Sequence, residues 1–340
     1  MTITTQVFET WKPEIDLFIS DELDNTPQTV IEKLFSVQST NRLQKSEITY
    51  SGFMPMHEVS ENGEAIENQL LEGYRTNYVR QNWRDYVVFT KNLLDTDQSD
   101  TVKSMAQDLA RTQIQTRELN ATGIFRNAFI NSGFYSWGDG KGLVSLTHPR
   151  KDGNGSQANT FADGVQRALT YDNAVLLRNV QIANVSNTGN LLNLADPGND
   201  MCLMVGPYLQ EQAFQIAGVN NMDTRPDTAD RAANFFVKGT KFTVLVCKYM
   251  SYEAAYLAGE TTVAKTNAAN YWDTMWGIVD TRVAKRYLKF YEGTGYPYFT
   301  DEINKKNESL VKYAYDAYAY GVTSFLGIAM SKGDGTTFTG

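Results

Sequence analysis

Few side chains in this 340-residue chain are of the kinds that carry out chemistry. There are two histidines, His57 and His148, and two cysteines, Cys202 and Cys247. His57 lies in "MPMHEVSENG" and His148 precedes a proline in "SLTHPR". Neither has a cysteine or an acid at the spacing of a metal site or a nucleophile–base pair, so both read as surface or turn residues. The cysteines fall in apolar, strand-like runs, "DMCLMVGP" and "KFTVLVCKYM". They read as buried thiols of a reducing compartment, a disulfide being the alternative. No catalytic residue, metal ligand or cofactor is assigned on these grounds.

Two loops imitate ligand sites. "GDGKG", Gly138 to Gly142, lacks the four-residue spacer and the hydroxyl after lysine that a phosphate-cradling P-loop needs. It follows a long polar–apolar pattern, and glycine adopts the positive φ wanted at a helix end, so a chain reversal is expected. "DGNGSQANTFAD" places Asp152, Asn154 and Ser156 at alternate positions, as a calcium loop does. Its sixth position is Gln157 where glycine is required, and its twelfth is Asp163 where a glutamate is usual, so a solvated loop is expected. Asp139, Asp152 and Asp163 are scattered among turns and suggest no hydrolytic pair. The run "RVAKRYLK" reads as a solvated face.

Composition narrows the classes. A hydrophobic content of 42% is enough for a core, and the net charge of −8 argues against a dedicated nucleic-acid binder. No apolar run is long enough to cross a membrane, and the first residues lack the pattern of a signal peptide. Tyrosine, with 19 copies, favours surfaces buried at one end and wet at the other, hinting at interfaces.

The elements follow from periodicity. "TPQTVIEKLFSV" predicts a short helix with Thr26 as N-cap, burying Val30, Ile31, Leu34 and Phe35. Pro13 interrupts the pattern before it, so residues 1–45 are expected to form an arm. Residues 46–94 read as two strands with a long tip, a hairpin that leaves Phe53, Met54, Met56, Tyr74, Tyr78 and Trp83 exposed. Such a hairpin is marginal alone and needs cover from the chain or from another copy. Val102, Met105, Ala106, Leu109, Ile114, Ala121, Phe125 and Phe129 recur at helical spacing. Unbroken over about 97–132, that helix would reach on the order of 50 Å. Beyond it come a helix capped by Thr170, strands at "DMCLMVGP" and "KFTVLVCKYM" around a helix ended by Gly218, strands at "NYWDTMWGIVD" and "RYLKFYEG", and one or two tyrosine-rich closing strands. This order is α+β.

In sequence, an arm, a hairpin returning through "EGY", "VVFTKNLLDTDQ", "LARTQIQTRELNATGIFRNAFINS", "GDGKGLVSLTHP", "MVGPYLQEQAFQI", "WGIVD" and "FTDEINKKNESLVKYAYDAYAYGVTSFLGIAMS" resemble the major capsid proteins of tailed bacteriophages. The resemblance covers roughly 47–331. It implies a structural subunit, not an enzyme, that self-assembles into pentamers and hexamers of an icosahedral head shell. It implies an arm (1–45), an extended loop (46–94) that lies on the neighbouring subunit, a peripheral domain (95–174) with the spine helix, an axial domain (175–320) and a C-terminal strand returning to the peripheral domain (321–340). The six aromatic and methionine residues of 46–94 named above would then be inter-subunit contacts. Implied partners are further copies, portal and scaffolding proteins, a possible decoration protein, and packaged double-stranded DNA held without sequence preference. The implied place is the virion, assembled in the host cytoplasm. Two features depart from the family: Phe325-Leu326-Gly327 stands where a Trp-Arg-Gly-like step is expected, and Met250–Tyr271 is longer than the usual connection. A nanocompartment shell that packages an enzyme is the alternative of the same fold, and a soluble hydrolase the remote one.

Overall fold

The computed structural model describes residues 3–50, 56–61, 63–65, 67, 71–96, 99–131, 138–187, 189–192, 194, 201–218, 242–261 and 271–339. Helices and strands are mixed along the chain, an α+β arrangement built on two main sheets.

The first residues are a helix, not an arm. Helix α1 (Ile3–Asn25) continues through Pro13. A proline inside a helix costs about 3 kcal/mol. That cost is offset because Phe8, Ile15 and Ile19 are buried in one cluster with Val102, Ala106 and Ala110 of α4 (Ser99–Arg126). Helix α2 (Thr29–Leu34) buries the expected face but starts later than Thr26. Its N-cap residue, Gln28, makes no side-chain cap. The cap comes from α4 instead, where Glu118 accepts the Val30 and Ile31 N–H groups at 3.1 and 3.2 Å.

With 28 residues, α4 is about 42 Å long at ~1.5 Å per residue. It is shorter than the 97–132 expected, because the chain turns after Arg126. Its apolar stripe is interrupted by two buried charges, Arg117 and Glu118.

The 46–94 hairpin divides. Strand β2 (Gln44–Tyr50) pairs antiparallel with β3 (Glu72–Val79), from Gln44↔Val79 outward. Strand β4 (Gln81–Thr90) leaves the hairpin and pairs with β12 (Ser309–Val322), from Gln81↔Tyr318 to Thr90↔Ser309. It does so because Phe89 is fully buried with Leu310 and the α1–α4 cluster. A short helix, α3 (Lys91–Asp95), leads on to α4.

The larger sheet has β12 at its centre. Strands β10 (Leu288–Gly293) and β11 (Tyr298–Asn304) both pair antiparallel with β12 and follow one another along one side of it. Strand β4 takes the opposite side, since Tyr318 lies between Glu292 and Gln81. Strand β1 (Ser36–Thr40) adds parallel to β10. Strand β11 is a charged segment, "YFTDEIN", that periodicity does not reveal.

The second sheet runs β13 (Ile328–Ser331), β9 (Trp276–Asp280), β7 (Met201–Val205), β8 (Phe242–Val246). Every residue of β7, β9 and β13 is buried. Helix α5 (Tyr171–Ala183) is capped by the Thr170 side chain, and α6 (Gln210–Ala217) ends at Gly218 with φ +68°, both as expected. Two short helices, α7 (Tyr252–Leu257) and α8 (Thr281–Tyr287), flank β9 in sequence. A two-residue pair, β5 (His148–Pro149) with β6 (Ser156–Gln157), follows the glycine loop.

The expected division by chain position is redrawn. Residues 288–322 join the sheet of β4 and β1, and the closing residues place β13 in the other sheet. One core cluster contains Leu34 and Phe35, Phe125 of α4, Phe290 and Tyr318 of the larger sheet, and Met204, Val279 and Ile328 of the smaller. The two sheets therefore share a core.

Candidate assembly surfaces

The hairpin is fixed at its root, and Met56 beyond its first strand is exposed. At the root, Tyr78 is 3% exposed and meets Tyr291 edge-on at 5.1 Å, its hydroxyl 2.7 Å from that of Thr323. Burial raises the pKa of both tyrosines, with the bond to Glu47 adding to the shift of Tyr291. Tyr291 donates to Glu47, and Lys45 lies 3.9 Å above its ring. Further out, Tyr74 donates to the Pro149 carbonyl at 3.2 Å and Lys151 covers its ring at 4.3 Å. Gly138 lies under this strand: a Cβ there would stand 2.6 Å from the Arg75 carbonyl oxygen. At the tip, Met56 is 99% exposed.

These placements sort the expected contact residues. Tyr78 is corrected: its own chain covers it, because the root needs an aromatic anchor on Tyr291. Trp83 is half-buried on β4, stacked on Tyr318 at 5.9 Å, and Tyr74 is half-buried. Met56 stands free, while Phe53 and Met54 lie outside the described residues.

Sheet edges supply further open surface. Among the described strands β4 pairs only with β12, and β11 only with β12, so each keeps one edge of unpaired backbone groups. Tyrosines pave the outer face between them: Tyr86 lies 5.7 Å from Tyr313, and Tyr298 stacks on Tyr315 at 4.9 Å. Beneath β4 a cavity of about 110 Å³ is lined by Trp83, Leu109, Gln113, Ala314 and Tyr318, among others. Both amide atoms of the buried Gln113, and the Trp83 Nε1, lack a hydrogen-bond partner among the described residues.

The residues that suggested chemistry are committed internally. His148 is fully buried, not at the surface, since its ring stacks on Phe325 at 3.9 Å. Its Nδ1 is 2.7 Å from Asp139 Oδ2 and its Nε2 is 3.2 Å from Asn159 Oδ1. Asn159 donates to the Leu143 and Ile328 carbonyls, which fixes its oxygen toward the histidine. Asp139 also accepts the Lys141 N–H at 2.9 Å, so "GDGKG" turns a carboxylate inward and its Lys141 amide is already occupied. Asp152 pairs with Arg150 and accepts the Asn154 N–H. Cys202 and Cys247 are free thiols, and burial pushes that of Cys202 up to about 12. Among the described residues no group of three or more histidines, cysteines and acids could hold a metal ion.

The segment Met250–Tyr271 is clamped near its middle. Arg126, at the end of α4, forks onto Glu260 with two contacts of 2.8 Å and donates to the Tyr249 carbonyl at 2.8 Å.

No protein-family model and no curated protein matches the chain. Solved structures similar to it include the capsid of the cyanophage P-SCSP1u, at 12% identity and a TM-score of 0.48, covering 89% of this chain and 87% of that one. The capsid of the native GTA particle is similar at 13% identity and a TM-score of 0.47, with 90% of each chain covered. A virus-like particle from Pyrococcus furiosus is similar at 9% identity and a TM-score of 0.47, covering 94% of this chain and 98% of that one.

Proposed function

We propose that this chain is the structural subunit of an icosahedral head shell of a tailed phage, closing as pentamers and hexamers around double-stranded DNA. One observation carries the reading: a hairpin is anchored by tyrosines at its root, and beyond its first strand Met56 is left bare by the described residues. The free edges of β4 and β11 and the tyrosine face between them support it, since exposed edges invite pairing with another chain. In this reading the hairpin of β2 and β3 is the extended loop that crosses a neighbour. The α4 helix with the larger sheet forms the peripheral part, and the smaller sheet the part nearest the capsomer axis. Met56, Phe53, Met54, Tyr74 and Trp83 are the contact residues. Portal, scaffolding and decoration proteins are its further partners, and the virion is its place.

The test is electron microscopy of the purified chain, alone and co-expressed with a candidate scaffolding protein. Closed shells or capsomers support the proposal, with packaged DNA separating a phage head from an enzyme-filled compartment. A monomer under both conditions overturns it.

A further inference from the structure

The open side of α8 is basic. Arg282, Lys285 and Arg286 are exposed, and at ~100° per residue they span about a third of the helix's circumference. Val283 and Ala284 turn the other way, into the core. Across from Lys285 stands Lys33 of α2, and the two share a groove of about 380 Å³ with Glu32, Cys202, Thr243 and Thr281.

None of these four cations is joined to an acid among the described residues. Arg111, Arg117, Arg126, Arg150, Arg167 and Lys312 are paired elsewhere, while other cations, Lys305 and Lys306 among them, are not; what sets these four apart is that they gather on α8 and across one groove. Two carboxylates stand near: Glu32 in the groove, and Asp280, which is buried and caps α8 at the Val283 N–H. Arg282 and Arg286 sit four apart on the helix, where like charges repel by about 0.2–0.5 kcal/mol. Four exposed cations gathered about one groove that holds a single carboxylate favour an anion from outside.

We propose that Lys33, Arg282, Lys285 and Arg286 form a strip that binds the phosphate backbone of duplex DNA. It offers point charges and guanidinium forks, which hold phosphates and carry no base readout. The net charge of −8 over the chain confines such contact to the strip. The occupant rests on the shell reading, and it places α2 and α8 on the side that faces the genome. Binding itself needs no shell to be measured.

The full chain is titrated against a fluorescein-labelled 20-base-pair duplex, followed by anisotropy between 50 and 200 mM KCl. Wild-type protein is expected to bind two unrelated sequences alike, with a salt slope up to about −3.6 for four neutralised phosphates. K285E/R286E is expected to weaken binding at least tenfold and flatten the slope, with K33Q/R282Q as the milder second variant. K305E/K306E, at the exposed turn between β11 and β12, is expected to change neither. Circular dichroism confirms that each variant is folded. No wild-type binding at 50 mM, or an equal loss in the control, overturns the proposal. So does displacement by polyglutamate as effective as by DNA, which would make an acidic protein segment the occupant. Shell formation is scored separately: shells without duplex binding sink the strip alone, and duplex binding without shells sinks the shell reading alone.

Discussion

Arg117 is 4% exposed, yet carries a full charge between Asp316, at 2.6 Å, and Glu292, at 2.8 Å. Removing Asp316 takes away the buried two-pronged partner and leaves Arg117 only the part-exposed Glu292, so Asp316→Ala is expected to lose up to about 3–5 kcal/mol in urea unfolding. The double replacement Arg117→Met with Asp316→Leu is expected to recover most of it, because desolvation nearly cancels the attraction of a buried pair. One position on, Glu118 gives a pH signature. Burial raises its pKa, against the two backbone donors that lower it. In the unfolded chain the group ionises near ~4.3. Above that value the native state keeps a proton the unfolded state has lost, so stability falls as pH rises until the folded carboxyl has ionised. Glu118→Gln should abolish this decline and match or exceed the parent at pH 7. Glu118→Ala, which orphans two amides of α2, should cost about 1–3 kcal/mol at all pH values. Urea midpoints across pH 4.5–7.5 check both. The helical period across Ile114 and Ala121 did not mark these two charges as buried, and their partners are 199 and 88 residues away. His148 misled for the same reason: its cover, Phe325, is remote in sequence.

Elements marked by a short apolar run or a helical period were readable, among them β7, β8, β9, β10 and α5. Those held by a distant neighbour were not. The α1 helix carries a proline that local rules treat as a stop, and its helicity comes from packing against α4. Pro13→Ala should therefore raise the unfolding free energy, by up to about 3 kcal/mol, with unchanged circular dichroism. Strand β4 reads as the return arm of the hairpin until its register with β12 is known. The glycine loop was correctly read as a reversal, but its first glycine has a further duty: it lets β3 lie against the loop. Gly138→Ala forces that strand outward, and faster proteolysis within 44–79, with little change in global stability, is the expected result. Equal protease resistance would mean that the hairpin is held by Tyr78 and Tyr291 alone.

For the molecule as a whole, the hairpin tip should be dispensable for folding and needed for association. Replacing Met56–Glu67 by a short glycine–serine turn is expected to leave the melting temperature within a few degrees of the parent, while sedimentation velocity detects no capsomers. A similar loss of melting temperature would place the tip in the monomer's own stability. The larger sheet has one more implication, for the order of events at the ribosome. Strand β1 pairs with β10, and β4 with β12, so the first strands made wait for partners near the end of the chain. At about 5–20 residues per second, that wait is roughly a quarter of a minute to a minute. Through it, β4 presents both edges and Phe89 lacks Leu310, one of its eventual neighbours. Nascent chains on one messenger are crowded together and carry the same unsatisfied strands. The edges through which copies are proposed to meet are thus available before the chain has folded, and a holding chaperone during synthesis should raise the yield of folded chains more than one added afterwards.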